Sequence, residues 1–149
     1  MKLKVGDKAP KFEGLDQNDN AISLAEFAGK KLVLYFYPKD NTPGCTAESC
    51  NLRDNYQQLL KNGYEVVGIS SDSAKKHQNF INKYDLPFRL IADVDKSIHE
   101  QFDTWREKQM YGRKYMGTVR TTFVIDENGV IEEIIEKVKT NDHTAQIMA

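Results

Sequence analysis

The sequence predicts an α/β fold in which a mixed central sheet is flanked by helices. Three observations carry that expectation. Apolar, β-branched or aromatic runs (Leu32 to Tyr37, Glu65 to Ser70, Phe88 to Ile91) alternate with amphipathic stretches of helical length, the pattern of layered α/β domains. The runs are too short and too apolar to be surface strands, and read as strands buried in the sheet. Finally, Asn128-Gly129 separates Arg120–Ile125 from Val130–Ile135, a hairpin signal that makes the sheet mixed rather than wholly parallel.

Taken in order, residues Lys2 to about Asn20 carry Gly6, Pro10, Gly14 and Asn/Asp punctuation, which suits short strands or a hairpin at the edge of the domain. Ser23 to Phe27 reads as one helical turn, with Ser23 as cap, Glu26 at the third position and Gly29 closing it. The first buried strand is Leu32–Tyr37. Thr42 as N-cap and Pro43 at the first helical position then open a helix that runs from about Thr46 to Leu60. Asn62-Gly63 ends it, and Glu65–Ser70 is the second strand. Ser71-Asp72-Ser73 offers caps for a helix to about Tyr84, ended ahead of Pro87. After the strand Phe88–Ile91, Asp95 is the expected cap of a short helix through Phe102. Asp103 to Thr118 has no clear period and is expected to be a loop or partly extended. A helix begins near Asn141.

With 149 residues, the chain has the size of one ordinary domain spanning 1–149. Its 40% hydrophobic and 29% charged residues suit a soluble globular protein. A net charge of −1 provides no basic field for a nucleic-acid partner. The start of the chain lacks the apolar core of a secretory signal, and no apolar run approaches membrane-spanning length. The cytoplasm is the default location. In that compartment a pair of cysteines is more often catalytic or metal-binding than a structural staple. Metal is the weaker option, because Cys45 and Cys50 are not C-x-x-C and His77, His99 and His143 form no ligand-like cluster with them.

Both cysteines lie in Pro38-Lys39-Asp40-Asn41-Thr42-Pro43-Gly44-Cys45-Thr46-Ala47-Glu48-Ser49-Cys50. Cys45 falls in the first helical turn, where unpartnered backbone N–H groups and the positive end of the helix dipole favour an anion. Its thiol is therefore expected to be acidified and reactive. On one helix, Cys45 and Cys50 are ~7.5 Å apart along the axis, with Cα atoms ~8.5 Å apart. That exceeds the ~7 Å reach of a disulfide. A bridge between them would require the first helical turns to unwind.

Pro38-x-x-x-Thr42-x-x-Cys45 resembles the active-site signature of peroxiredoxins, and Thr46-x-Glu48-x-Cys50 resembles the peroxiredoxin Q (bacterioferritin comigratory protein) branch. The block Met110 to Asp126 is similar to a later block of the same branch, so the resemblance covers nearly the whole chain. It implies a thioredoxin-like fold and a thiol-dependent peroxidase acting on hydrogen peroxide or an alkyl hydroperoxide. It further implies that Cys45 attacks, that Cys50 resolves the resulting sulfenic acid as an intramolecular disulfide, and that a thioredoxin-type reductant restores the dithiol. Arg120 matches the family's active-site arginine, the Thr42 hydroxyl its peroxide contact, and Pro38 the residue that shields the sulfur from water. Glu48 is a candidate for orienting Arg120. No metal, flavin or haem cofactor is implied, and a monomer free of nucleic acid and membrane is expected.

The arginine matters more than acidity alone. A thiol of pKa ~8.5 is only ~3% ionised at neutral pH, so full ionisation adds at most ~30-fold. Lowering its pKa by ~2 units costs ~8-fold in nucleophilicity at a Brønsted slope of ~0.45. Most of the acceleration must come from groups that stabilise charge on the departing oxygen, and a fixed guanidinium can do so.

Two rival readings remain open on the residues. A thiol–disulfide oxidoreductase on the same fold is disfavoured by the missing C-x-x-C, and a zinc-binding or client-holding module rests only on two thiols and surface aromatics. Gly112-x-x-x-x-Gly117 lacks the Lys-Ser/Thr of a phosphate loop. The histidines and Trp105 read as structural or surface residues.

Overall fold

The computed structural model describes residues 1–149. A five-stranded sheet is built from β3 (Lys31–Phe36), β4 (Tyr64–Ser70), β5 (Arg89–Ala92), β8 (Thr121–Ile125) and β9 (Ile131–Ile135), in the order β5-β4-β3-β8-β9. β3, β4 and β5 are parallel, whereas β8 runs antiparallel to β3 and β9 antiparallel to β8. The sheet is therefore mixed, as the Asn128-Gly129 turn predicts. Two separate hairpins, β1 (Glu13–Leu15) with β2 (Ala21–Ser23) and β6 (Trp105–Met110) with β7 (Arg113–Thr118), lie outside it.

Strand periodicity divides the core into two layers. Along β3, Leu32, Leu34 and Phe36 enter one cluster, with Phe12, Phe27, Ile98, Phe102 and Phe123. Val33, Tyr35 and Tyr37 enter the other, with Cys45, Leu52, Leu59, Phe80, Phe88 and Ile147. Alternate residues point to opposite faces, and both faces are covered, which explains the uninterrupted apolar run. The second layer is roofed by α1 (Pro43–Asp54), α2 (Tyr56–Lys61), α3 (Ala74–Tyr84) and α5 (His143–Met148). α4 (Ser97–Gln101) and a 3-10 turn over Leu24–Phe27 contribute to the first.

Several boundaries differ from expectation, each for a physical reason. The helix expected from Thr46 to Leu60 is two helices, broken at Asn55, whose backbone (φ −109, ψ 11) leaves the helical region while its side-chain amide donates to Asn51 O. Asp103 to Thr118, expected to be a loop or partly extended, is extended over most of its length as the β6–β7 hairpin. Its turn is Tyr111-Gly112, both at positive φ (51 and 76), the geometry a two-residue hairpin turn demands. Tyrosine is an unusual first residue there, and it is 97% exposed. The second strand of the N-terminal hairpin falls at 21–23, just past the segment expected to hold it. Asp95 accepts from Ser97 N, but the buried Asp93 does more to open α4, taking Ile98 N and His99 N. Ser73 caps α3 as expected, accepting from Lys76 N.

Gly68 on β4 illustrates how tightly the second layer is packed. A Cβ at this position would lie 2.7 Å from Leu90 Cδ2 and 2.8 Å from Tyr35 Cζ. Gly68→Ala should therefore cost about 1–3 kcal/mol in urea unfolding. It should also displace Tyr35, whose hydroxyl is bonded to Ser49 Oγ on α1.

Candidate active site

The site assembles where β3 ends. β8 pairs with β3 so that Thr121 lies opposite Phe36, and Arg120, immediately before Thr121, is delivered beside the loop leaving β3. That loop, residues 38–42, leads into α1, with Pro43 at its first position and Thr46 N bonded to Thr42 O at 2.8 Å. Cys45 is buried at 1% exposure in the first turn. Topology alone thus brings residues 75 positions apart into contact: Arg120 Nη2 donates to Cys45 Sγ at 3.2 Å.

The other arm of the guanidinium is fixed from below. Arg120 Nη1 donates to Glu48 Oε1 at 2.6 Å, and Glu48 has no exposed surface. Glu48 follows Cys45 by three residues, so α1 presents both side chains on one face. Burial works to lower the pKa of Arg120, but the charges of Glu48 and Cys45 outweigh it and the net shift is upward. For Glu48 itself, burial is the larger effect and pushes its pKa up to about 7, with Arg120 pulling the other way. Gly44 lets the guanidinium approach, because a Cβ there would lie 3.3 Å from Arg120 Nη2.

Other residues singled out from the sequence stand as follows. Thr42 occupies the N-cap position with extended backbone, but its hydroxyl donates to Lys39 O at 2.8 Å and does not cap the helix. Pro38 is half-buried at the end of β3. Cys50 lies on α1, partly exposed, and both cysteines are free. Burial raises the Cys50 thiol, with Arg53 opposing the shift.

The anchor beneath the loop was nearly silent in the sequence. Tyr37 Oη donates to Asp40 Oδ1 at 2.5 Å, His77 Nδ1 meets Asp40 Oδ2 at 2.6 Å, and His77 Nε2 faces Ile91 O at 2.8 Å. Asp40 N donates to Asp72 Oδ2, which also accepts from Ser70 Oγ. Asp40, Asp72 and His77 are grouped closely enough to suggest metal ligation, yet each of their facing atoms already has a protein partner, so the group serves as a clamp on residues 38–41. Only the spacing of His77 and Phe80 on the apolar face of α3 hinted at it. All three histidines are fully buried; none is a surface residue. The largest cleft, lined by Phe12, Leu24, Phe27 and the turn at 126–129, lies at the opposite end of β3 and holds no cysteine or histidine.

Comparison with known proteins agrees with this arrangement. The AhpC/TSA family profile matches residues 5–134. The chain is 49% identical to a putative peroxiredoxin bcp of Coxiella burnetii, over 99% of this chain and 98% of that protein. It is 45% identical to the peroxiredoxin Bcp of Escherichia coli, over 95% and 90%. Among solved structures, a peroxiredoxin Q of Xanthomonas campestris superposes with a TM-score of 0.86 at 35% identity, covering 92% of this chain and 87% of the other. A PrxQ mutant of Xylella fastidiosa superposes with a TM-score of 0.93 at 31% identity, covering 99% and 94%.

The buried Glu48 makes stability depend on pH. Because the folded state binds this proton more tightly than an unfolded glutamate does, its contribution is intact below the ordinary glutamate range and is lost as pH rises through about 7. Glu48→Gln should therefore gain stability relative to the wild type between about pH 5 and pH 8, by up to ~3 kcal/mol. Denaturant midpoints of the reduced proteins at both pH values check this.

The fold, the contact between Arg120 and Cys45 and the matches along nearly the full length lead to one assignment: the chain belongs to the AhpC/TSA family, within its peroxiredoxin Q branch of thiol-dependent peroxidases.

Proposed function

We propose that Cys45 reduces hydrogen peroxide or an alkyl hydroperoxide and that Cys50 resolves the product within the same chain. The observation that carries this reading is the guanidinium of Arg120, held by Glu48 at one nitrogen and aimed at Cys45 Sγ with another. The Cys45 thiolate attacks one peroxide oxygen, an S–O bond forms as the O–O bond breaks, and the second oxygen leaves as hydroxide or alkoxide. Arg120 donates to that oxygen as its charge builds, a role open to a guanidinium with several N–H groups. Thr42 spends its hydroxyl hydrogen on Lys39 O, so its lone pairs are free to accept the hydrogen of the incoming hydroperoxide. Pro38 shields the sulfur from water.

Cys45 is then a sulfenic acid. The Cys50 thiol condenses with it, an S–S bond forms, and water leaves. Both sulfurs start on α1, too far apart in helical geometry, so α1 unwinds for this step. Its buried residues are Cys45, Glu48, Ser49 and Leu52, of which only Leu52 is a large aliphatic side chain. The break at Asn55 supports a movement that ends there and leaves α2 in place. A thioredoxin-type dithiol returns both cysteines to thiols by two exchanges.

The setting we propose is a single-domain monomer in the cytoplasm that needs no nucleic acid, membrane or bound cofactor. A net charge of −1 gives no basic field for a nucleic-acid partner, and no helix is long and apolar enough to cross a membrane.

Three variants test the scheme in a peroxide-consumption assay. Cys45→Ser should abolish turnover, and undiminished activity would refute the assignment. Cys50→Ser should retain one stoichiometric turnover and lose thioredoxin-supported cycling. Arg120→Lys should lower the rate of Cys45 oxidation by roughly 100-fold or more. Amide exchange should rise across residues 45–50 on oxidation; equal protection in both redox states would exclude the unwinding step.

A further inference from the structure

His99 on α4 has every one of its polar groups occupied. Its main-chain N donates to Asp93 Oδ2 at 2.8 Å, its ring Nδ1 meets the same oxygen at 2.6 Å, and its carbonyl accepts from Thr104 N and Thr104 Oγ1. Nδ1 therefore carries the hydrogen given to the carboxylate, and in the neutral ring Nε2 accepts from Thr118 Oγ1 at 3.0 Å. The imidazole is wedged between Phe36 at the end of β3 and Trp105 at the start of β6, with ring centroids 5.1 and 5.9 Å away. Asp93, His99 and Thr118 thus form the acid–imidazole–hydroxyl chain of a hydrolytic triad. All three are at most 3% exposed, so no ester or peptide reaches the hydroxyl, and the use of the chain lies in what it holds.

What it holds is the junction that carries Arg120. β7 ends at Thr118 and β8 begins at Thr121, so Val119 and Arg120 belong to neither strand. The main chain of Arg120 makes no backbone hydrogen bond. Its neighbours do the anchoring: Val119 N donates to Thr104 O at 2.8 Å, and Val119 O accepts from Thr121 Oγ1 at 2.9 Å. Residues 118 and 119 are therefore both tied to His99, one by the imidazole and the other through Thr104. The β6–β7 hairpin, exposed at its tip, hangs from the same point, and the tie separates its motion from Arg120.

We propose that His99 is a positioning residue for peroxide reduction: the Asp93–His99–Thr118 chain fixes the main chain ahead of Arg120, as the β3–β8 pairing fixes it behind, and so aims the guanidinium at Cys45. Asp93 sets the orientation of the ring, and the ring sets the position of the hydroxyl. Arginine is a long, rotamer-rich side chain. It holds Cys45 Sγ and Glu48 Oε1 together only from a fixed starting point. The catalytic consequence rests on the role proposed above for Arg120, whereas the positioning itself can be observed without peroxide.

Thr118→Val removes the hydroxyl and keeps the shape of the side chain. A misplacement of about 1 Å can cost on the order of 100-fold in rate, so the loss of a bond two residues from Arg120 should slow Cys45 oxidation roughly tenfold. Thr118→Ser, which retains the hydroxyl, should stay near the wild-type rate. A merely structural role is separated by repeating the substitution in an Arg120→Lys background. If Thr118 acts through Arg120 the two losses do not add, and Thr118→Val should cost less than about twofold there. The same loss in both backgrounds, or none in either, would overturn the proposal.

The aim of the guanidinium is read by nitrogen NMR of the arginine side chains in the reduced protein. Arg120, bonded at two nitrogens, should give resolved, slowly exchanging N–H signals that broaden or vanish in Thr118→Val and persist in Thr118→Ser. Unchanged signals in a folded Thr118→Val would overturn the proposal whatever the activity. His99→Asn covers the case in which Thr118→Val does not fold: its amide can donate to Asp93 in place of Nδ1 but falls short of Thr118, and it should reproduce both effects. A folded His99→Asn with wild-type rate and signals would equally overturn it. Wild-type protein inert toward peroxide would instead defeat the peroxidase reading, with the NMR result still deciding the positioning.

Discussion

One guanidinium makes the active end of this molecule interdependent. Arg120 reaches Cys45 and Glu48 from the strand beside β3, and both of its partners belong to the same three-residue step of α1. The contact exists only while α1 is docked. A carboxylate buried without its cation would be strongly unfavourable, so helix position and site chemistry are set by the same ion pair. Glu48 does not titrate as an ordinary surface residue because burial away from water outweighs the pull of its cation.

The approach to α1 is held just as firmly. Residues 38–41 cross from the end of β3 to the helix, and their main chain and side chains are tied to Tyr37, Asp72, His77 and, through Asn41, Lys83 and Tyr84. Asn41 is in the left-handed region at φ 61, a conformation asparagine tolerates better than most residues. These bonds fix where the first turn of α1 begins, and with it the position of the sulfur. Below, the two-layer core supplies the rigid floor, with Tyr35 on β3 and Tyr37 just past its end as the two stacked aromatic side chains that meet the helix and loop.

The strands of the central sheet and the helix carrying the cysteines could be read from the chain because apolar runs, caps and an Asn-Gly turn are local signals. Cys45, Cys50 and Arg120 stood out through motif blocks. The β6–β7 hairpin did not, because it is polar, half-exposed and turned by Tyr111-Gly112, so neither periodicity nor turn chemistry marks it. The break at Asn55 was hidden because α1 and α2 continue one amphipathic pattern. Asp93 was passed over for Asp95, since position relative to the helix is visible in sequence but burial is not. The facing of His143 and Glu48 is a tertiary event across 95 residues, and a six-residue helix carries no pattern that could announce it.

Asn55 also divides the helical cover of the second layer into two segments that differ in what they bury. Leu59 on α2 is fully buried in that layer, on a helix that packs against β4, while α1 brings mainly small or polar groups to the interior. Under the proposed disulfide step such a segment would melt and re-form in each round while the rest of the layer keeps its packing, much as a drawbridge moves while the wall that carries it stands.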